Sequence, residues 1–194
     1  MTIETFFPRG SVDVSGLSKF LDALDDEARA AAVRAMTPGQ QAKLFEAARG
    51  FRAITVDHFV PPAVAPLTQV AHTGKNSIPI VSHFEKRFCR PSTGAKQLWG
   101  YNENPPAVTV VSGPGYFVCY DIEDGEVLID YTQLPTGKPD AWPAIKPNSA
   151  GLSRFIYYRT KDTMRGISAH VSIGRAARDG KVMDNWFVLC RRDR

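Results

Sequence analysis

The sequence predicts an α+β fold, in which an N-terminal helical segment precedes an antiparallel β-barrel or a strongly curled sheet. Apolar residues recur at helical spacing up to about residue 36, and a second helix start follows directly. From about residue 54 onward proline recurs too often for long helices, and short apolar segments alternate with turn sequences. We therefore expect a helical segment over 1–54 and a barrel-like β domain over 55–194.

One helical region is predicted from about 16 to 36, with Ser15 in the N-cap position. Asp25-Asp26-Glu27 leaves open an interruption, because aspartates before an alanine-rich stretch can cap a new helix. Thr37-Pro38-Gly39-Gln40 predicts a further start, with threonine as the N-cap, proline in the first turn and glutamine closing a capping box. That helix is expected to end before Gly50, a residue type suited to the position after a helix.

Seven strands are expected in the C-terminal part, which is enough for a closed or nearly closed sheet. Turn sequences such as Gly113-Pro114-Gly115 and Arg178-Asp179-Gly180 separate them, and this indicates an antiparallel meander of hairpins. The segment 132–153 is predicted to be a long connection, and His72-Thr73-Gly74-Lys75-Asn76-Ser77 a polar loop. The predicted strands are Ile78–Arg90, Ala107–Ser112, Tyr116–Asp121, Glu126–Tyr131, Arg154–Lys161, Arg165–Ile173 and Val182–Arg191.

The composition is that of a globular protein. The chain has 194 residues, of which 43% are hydrophobic and 23% charged, and these figures exclude disordered, collagen-like and coiled-coil chains. No run approaches the roughly 18 apolar residues of a membrane span, and the first residues lack the features of a standard signal sequence. Cys89, Cys119 and Cys190 are odd in number and far apart, which predicts reduced, structural thiols and a cytoplasmic location.

A net charge of +4 makes nucleic-acid binding worth testing against the sequence. The densest basic groups are Lys86-Arg87 with Arg90, and Arg191-Arg192 with Arg194, which are typical of a solvated strand face and a chain end. The sequence contains no recognisable nucleic-acid-binding module. We expect a small-molecule ligand, no nucleic-acid partner and no membrane partner, and the sequence leaves open whether the chain forms a homodimer.

Common catalytic and metal-binding motifs are absent from the sequence. It contains no P-loop, no zincin motif and no G-x-S-x-G elbow, and the G-x-G at Gly113-Pro114-Gly115 precedes a strand rather than a helix. His83 and Glu85 share a strand face, so a metal site with His170 is conceivable in a barrel. Ordinary strand residues are the favoured interpretation, and we expect neither a metal nor a cofactor.

The segment Arg165–Gly174 is the most informative one. Read as a single strand, it has an apolar stripe at its odd positions, while its even positions carry Ser168, His170 and Ser172 between glycines. A solvated strand face normally has long charged residues, so this even face is predicted to be enclosed. Two explanations are weighed equally: the small residues leave room for a ligand, or they allow the N-terminal helices to pack closely. An exposed face is the remaining alternative.

His170 is the predicted acid or base, because histidine readily exchanges a proton near neutral pH, and Asp130 or a tyrosine would assist it. Tyrosine and tryptophan combine apolar bulk with a polar tip, which suits the wall of a ligand pocket. An arginine facing a barrel mouth could bind a carboxylate or phosphate. The predicted ligand-binding residues are Ser168, Ser172, Tyr116, Tyr120, Tyr131, Tyr157, Trp186 and Arg87.

Three functions fit these features. The preferred one is enclosure of a small, partly apolar molecule in the barrel. The first alternative is a cofactor-independent enzyme of the cyclase, isomerase or lyase type that uses His170, and the second is an interaction module that docks through the N-terminal helices. A wholly apolar cavity favours binding, a buried histidine beside a carboxylate or tyrosine favours catalysis, and a filled lumen favours docking.

Overall fold

The computed structural model describes residues 2–79, 82–103 and 113–193, and it confirms the α+β prediction. Helices come first along the chain, and an antiparallel sheet of eight strands then closes into a barrel. The strands are β1 (Val70–Asn76), β2 (His83–Cys89), β3 (Leu98–Glu103), β4 (Tyr116–Asp121), β5 (Val127–Asp130), β6 (Thr160–Gly166), β7 (Val171–Arg178) and β8 (Lys181–Arg191).

The barrel is an antiparallel meander, as the turn sequences predict. Each strand pairs with the next one along the chain, and β8 pairs with β1 to complete the circle. His72 of β1, for example, lies opposite Lys86 of β2 on one side and Arg191 of β8 on the other. Closure leaves no free sheet edge within this set of strands, so their backbone hydrogen bonds are satisfied around the ring.

The N-terminal helices follow the capping signals of the sequence. They are α1 (Val14–Asp22), α2 (Asp26–Ala35) and α3 (Pro38–Ala47). Asp25 caps α2 and thereby interrupts the longer helical region, while Thr37 and Gln40 form the predicted capping box of α3. The N-cap of α1 is Asp13 rather than Ser15, because the Asp13 carboxylate accepts the free backbone N–H of the first turn.

These helices pack on the outer wall of the barrel at β1, β7 and β8. Apolar side chains from the helices, such as Leu17, Leu21 and Leu44, share one buried cluster with strand residues such as Val171 and Ile173. The apolar odd positions predicted for this region are therefore the face beneath the helices. The opposite face of β7 looks into the barrel, so the helices do not account for its small residues.

A short helix closes one end of the barrel. Helix α4 (Val56–Phe59) is held there by the backbone N–H of Val56, which donates to the Asp121 carboxylate at 2.7 Å. The Phe59 ring lies 5.6 Å from the His72 ring and 5.1 Å from the Phe88 ring, centroid to centroid. Nε2 of His72 is also hydrogen-bonded to the Phe59 carbonyl oxygen at 2.9 Å. We call this the closed end and the opposite one the mouth.

The prediction of one continuous strand over Arg165–Ile173 is wrong. β6 ends at Gly166 and β7 begins at Val171, with a tight turn between them at the closed end. The Ser168 hydroxyl accepts the backbone N–H groups of His170 and Val171 at 3.3 and 3.2 Å, which stabilises the turn. The alternation of side chains that the sequence pattern assumed is therefore broken in the middle of this segment.

Other strand boundaries differ from the predictions for similar reasons. The expected polar loop over His72 to Ser77 is mostly β1, because its polar side chains are accommodated inside and outside a barrel wall. Strand β3 was not predicted at all. The expected strand Arg154–Lys161 is instead helix α5 (Ser153–Ile156) followed by the start of β6, and the expected strand Ala107–Ser112 lies outside the described residues.

Large aromatic rings fill much of the barrel interior, and glycines on neighbouring strands make room for them. A Cβ atom on Gly74 would lie 2.5 Å from the Phe84 ring, and one on Gly174 would lie 2.5 Å from the Phe187 ring. Such distances are far inside van der Waals contact, so these two positions accept no side chain without repacking. These two rings lie toward the mouth, whereas nearer the closed end the Phe88 ring packs 5.1 Å from the Phe59 ring and 5.2 Å from the Phe117 ring, centroid to centroid. In the described residues the lumen is therefore packed near the closed end and more open toward the mouth.

Candidate functional site

A cavity of about 330 Å³ lies inside the barrel at the mouth. The ends of β1, β3 and β7 and the starts of β2, β6 and β8 contribute to its wall, as does α5. Its volume is at the lower end of the range for small-molecule pockets. Besides the polar group described next, it is lined by Asn76, Ile78, Phe84, Ile156, Tyr157, Thr160, Ala176, Asn185 and Phe187; we call it the mouth pocket.

Four polar side chains meet at the inner wall of the mouth pocket, and we call them the Lys86 cluster: Lys86, Asn102, Tyr131 and Asp162. Nζ of Lys86 donates to Oδ1 of Asn102 at 2.8 Å and to the Tyr131 hydroxyl. It lies 3.8 Å from a carboxylate oxygen of Asp162. Asn102 in turn donates to the Gly115 carbonyl at 3.0 Å, which fixes its amide orientation.

Aromatic rings surround the ammonium group on its remaining sides. The centroids of the Phe117, Tyr131 and Phe187 rings lie 5.0 to 5.1 Å from Nζ of Lys86, and that of Phe84 lies 5.5 Å away. These distances allow cation–π attraction, which is strongest where water is excluded. The lysine side chain is 3% exposed and the Asp162 side chain 5%, so two opposite charges are held together in a largely apolar interior.

Burial brings the pKa values of Lys86 and Asp162 closer together. Loss of hydration lowers the pKa of Lys86 to about 8, although the Asp162 carboxylate opposes the shift. Loss of hydration also raises the pKa of Asp162 to about 6, against the attraction of Lys86 and a hydrogen bond from Tyr131. Burial keeps the pKa of Tyr131 well above its ordinary value, so the phenol stays protonated. Both charged groups of the cluster thus change protonation within two units of neutrality.

The cluster can bind an oxygen-bearing group and exchange a proton with it. Lysine and tyrosine supply hydrogen-bond donors, and the aspartate supplies an acceptor or, when protonated, a further donor. Perturbed pKa values of buried groups in a cleft are frequent at sites that move protons. Within the described ranges, no three His, Cys, Asp or Glu side chains are grouped so as to hold a metal ion.

His170 lies at the closed end, in the turn between β6 and β7, and does not line the mouth pocket. Its Nδ1 is 2.9 Å from an Asp193 carboxylate oxygen and 3.0 Å from Nη2 of Arg191. Burial lowers its pKa, and the nearby Asp193 opposes that shift. The geometry predicted for His170, a strand residue pointing into a cavity, is wrong because the chain turns there. The metal site considered for His83, Glu85 and His170 does not form, because His83 lies at the mouth and His170 at the closed end.

Asp130, the predicted assistant of His170, lies on the outer face of β5. Its carboxylate accepts hydrogen bonds from the Thr132 backbone and hydroxyl, the Tyr120 hydroxyl, Gln133 and Lys161. Burial alone would raise its pKa, but these hydrogen bonds outweigh burial and hold the pKa below its usual value. This carboxylate organises the start of the long β5–β6 connection, and Tyr120 is part of the same arrangement.

Several other predicted ligand-binding residues also lie outside the lumen. The Tyr116 hydroxyl donates to the Pro143 carbonyl at 2.5 Å. The Trp186 ring packs against the Arg175 guanidinium, whose Cζ lies 5.1 Å from the ring centroid. Arg87 forms ion pairs with glutamates on the outer surface. Ser172 does face the lumen, as its pairing with Leu189 shows, but near the closed end.

Two predicted residues, Tyr131 and Tyr157, do line the mouth pocket. Their rings stack with centroids 5.3 Å apart. The residues that sequence reasoning missed are the other members of the Lys86 cluster. One signal was available: Phe84, Lys86 and Phe88 alternate on one strand face, and a lysine between two phenylalanines on a buried face needs a partner. Asp162 gave no such signal, because Lys161-Asp162-Thr163 has the composition of a turn.

A second depression of about 530 Å³ lies outside the barrel, along the β5–β6 connection. Thr132, Leu134, Asn148 and Tyr158 contribute to it, and its charged residues are at the surface. We assign the candidate site to the smaller interior cavity, because a buried, oppositely charged pair converges on it.

In the described residues, no helix has the length and apolarity needed to cross a membrane.

The fold and site define an eight-stranded antiparallel barrel with a polar cluster at one end of a lumen filled largely by aromatic and aliphatic side chains. No protein-family model matches the chain, and no curated protein matches it. It has a weak likeness to a solved structure described as the crystal structure of a surface lipoprotein, with 8% sequence identity and a TM-score of 0.29. The match covers 66% of this chain and 62% of that one, so this chain spans less than two thirds of that protein. A likeness at this level carries no argument about function.

Proposed function

We propose that the protein binds a small, partly apolar molecule in the mouth pocket, with the polar group of that molecule at Lys86. The observation that carries this proposal is the buried Lys86–Asp162 pair in the wall of a cavity whose other lining residues are uncharged, mostly aromatic and aliphatic with a few amide and hydroxyl groups. A buried ion pair is a costly way to stabilise a barrel, because apolar residues of similar size do so at least as well. Convergent polar groups in an apolar cavity instead suit recognition of a ligand.

A variant pair on one strand tests this proposal. Ala176 of β7 faces the mouth pocket and pairs with Asp162, whereas its neighbour Ala177 pairs with Lys161 on the outer side. Ala176→Phe should fill the pocket and abolish the fluorescence increase of acetyl-dimethylaminonaphthalene, a neutral probe that brightens in apolar sites. Ala177→Phe is the matched control and should bind the probe like the unmodified protein. Equal binding by both variants, or none by the unmodified protein, would contradict the proposal.

His170 provides a second comparison in the same assay. The sequence-based hypothesis that His170 contacts the ligand stays a prediction, and it requires His170→Ala to weaken binding. The mouth-pocket proposal requires unchanged binding in that variant, because the imidazole lies near the opposite end of the barrel. Native mass spectrometry of protein purified from its own host would add the identity of any retained molecule.

A second candidate function is a cofactor-independent enzyme that moves protons through the Lys86 cluster. The converging pKa values of Lys86 and Asp162, about 8 and about 6, favour it, since a group titrating near neutrality can both accept and donate a proton. This candidate keeps the reaction class expected from the sequence and transfers the catalytic role from His170 to Lys86. It predicts turnover of the bound molecule, which incubation followed by mass spectrometry would detect.

We also propose a cytoplasmic location, supported by the chemistry of the cysteines. Cys89, Cys119 and Cys190 are all buried free thiols in the structure, and such thiols are typical of reducing compartments. Fractionation of the host cells followed by immunodetection would test this, and recovery from an oxidising compartment would contradict it.

A further inference from the structure

We propose that Lys86 forms a reversible imine with an aldehyde or ketone group on the ligand; this inference rests on the function proposed above. It names both the chemical class of the ligand and the atom that reacts. The ligand would be a neutral carbonyl compound with an apolar body, and the reacting atom would be Nζ of Lys86.

The charge balance of the mouth pocket selects a neutral ligand. Lys86 and Asp162 lie 3.8 Å apart and together carry no net charge when both are ionised. An anionic ligand at Lys86 would be repelled by the Asp162 carboxylate, and a cationic one at Asp162 by the ammonium group. A carbonyl oxygen fits without either conflict, because it accepts hydrogen bonds from the lysine and from the Tyr131 hydroxyl.

The surroundings of Nζ favour a bond between the amine and a carbonyl carbon. The lysine side chain reaches inward from β2 and its amine is fixed by Asn102 and Tyr131 at the wall of the cavity. The aromatic rings of Phe84 and Phe187 border both the amine and the pocket, so an apolar ligand packed on them would bring its carbonyl group to Nζ. Desolvated lysines in such settings are effective nucleophiles.

Each step of the reaction can be balanced with the groups present. A proton moves from the ammonium group of Lys86 to the Asp162 carboxylate, which leaves a neutral amine and a carboxylic acid. The amine attacks the carbonyl carbon, and the nitrogen loses a proton to the former carbonyl oxygen, giving a carbinolamine. Asp162 then protonates the hydroxyl group, water leaves, and an iminium ion forms beside the regenerated carboxylate. One carbonyl and one ammonium group thus yield one iminium ion and one water, with the proton relayed through Asp162 and no oxidant or reductant.

The proton affinity of the lysine supports the same conclusion. Because loss of hydration lowers its pKa to about 8, Lys86 has about 300-fold more neutral amine at pH 7 than a lysine of ordinary pKa. The Asp162 carboxylate, 3.8 Å from Nζ, is placed to stabilise the positive charge of the iminium product.

Reductive trapping tests the inference. The protein is incubated at pH 7 with naphthaldehyde, below one equivalent, and sodium cyanoborohydride, which reduces an imine to a stable secondary amine. Intact-protein mass spectrometry should show one adduct, heavier by the aldehyde less one oxygen atom, and peptide mapping should place it on Lys86. We expect trapping at Lys86 to be on the order of 100-fold faster than at an exposed lysine, in line with the larger fraction of neutral amine.

Two variants serve as controls. Lys86→Arg keeps the positive charge but cannot form an imine, so it should lose the adduct. Lys161→Met removes a lysine on the outer side of the adjoining wall, which is 45% exposed, and should leave the adduct unchanged. Binding of acetyl-dimethylaminonaphthalene to each variant checks separately that the pocket is intact.

The outcomes separate this inference from the function on which it rests. If the neutral probe binds but naphthaldehyde labels Lys86 no faster than the exposed lysines, imine formation is refuted and ligand binding stands. If neither the probe nor naphthaldehyde binds, both are refuted. Labelling that persists unchanged in Lys86→Arg also overturns the assignment to this residue.

Discussion

Removal of the carboxylate partner should lower the pKa of Lys86 in a measurable way. In the protein, burial lowers that pKa to about 8 and Asp162 resists the shift from a distance of 3.8 Å. At an effective dielectric constant of about 20, two unit charges near 4 Å attract by about 4 kcal/mol, or roughly three pKa units. Asp162→Asn removes this attraction for the protonated amine, while the shape of the side chain is kept. We therefore expect the pKa of Lys86 to fall by about one to three units.

The assay is an NMR titration of lysine Cε resonances in protein labelled at lysine, with Lys86→Arg used to assign the signal. Asp179→Asn is the control, because Asp179 pairs with Arg159 at the surface and does not contact Lys86. In Asp162→Asn, the Lys86 signal should titrate below its value of about 8 in the unmodified protein. An unchanged or higher pKa would refute the reasoning, since it would mean that Asp162 does not sense the ammonium charge.

The same lysine should make stability depend on pH in the alkaline range. Its folded-state pKa of about 8 lies below the unfolded value of 10.5, so the unfolded chain binds the proton more tightly. Stability should rise as pH increases from about 8 to 10.5, by about 3 kcal/mol from this group alone. The buried cysteines, whose pKa values are raised above 9.0, oppose this rise in the upper part of the window. The lysine's contribution should therefore be seen in urea unfolding as a difference in unfolding free energy between the unmodified protein and Lys86→Met that grows with pH. In Asp162→Asn, the rise should begin at lower pH.

Three further predictions concern packing, capping and the thiols. Gly74→Ala should cost about 1 to 3 kcal/mol of unfolding free energy and weaken probe binding, because its Cβ would push the Phe84 ring toward the mouth pocket; Gly39→Ala, where no atom lies within 4 Å, should not destabilise. Thr37→Ala should cost about 1 kcal/mol in chemical denaturation through loss of the capping box; no loss would show that the cap contributes nothing. The three buried cysteines should resist a thiol reagent until denaturant is added, and fast labelling of the folded protein would identify a reactive thiol.

The sequence alone was sufficient for features that depend on near neighbours. The capping box joins Thr37 and Gln40, which are three positions apart, so its hydrogen bonds form whenever the helix begins there. The interruption at Asp25 is equally local. Alternating strands joined by turn sequences predicted an antiparallel meander, because short turns permit no other pairing. The outcome confirms the α+β class and the barrel.

Strand boundaries were less predictable where a side chain can play two roles. Ser168 and His170 continue a strand pattern in the sequence, but the serine hydroxyl bonds backbone amides ahead of it and turns the chain. His72 and Lys75 look like loop residues, yet both belong to β1. In a barrel, a polar residue on a strand can be satisfied by another strand across the lumen, and the sequence does not reveal that partner.

The candidate site was decided by the tertiary structure. Lys86 and Asp162 are on strands that are not neighbours in the sheet, and only closure of β8 onto β1 brings them within 3.8 Å across one lumen. Taken alone, each of these two residues would be predicted to lie at the surface, because a single buried charge is strongly unfavourable. Paired inside the barrel, each makes burial of the other possible. The sequence therefore indicated the class of fold and several of the segments that form the wall, and the closed barrel determined which charged side chains meet inside it.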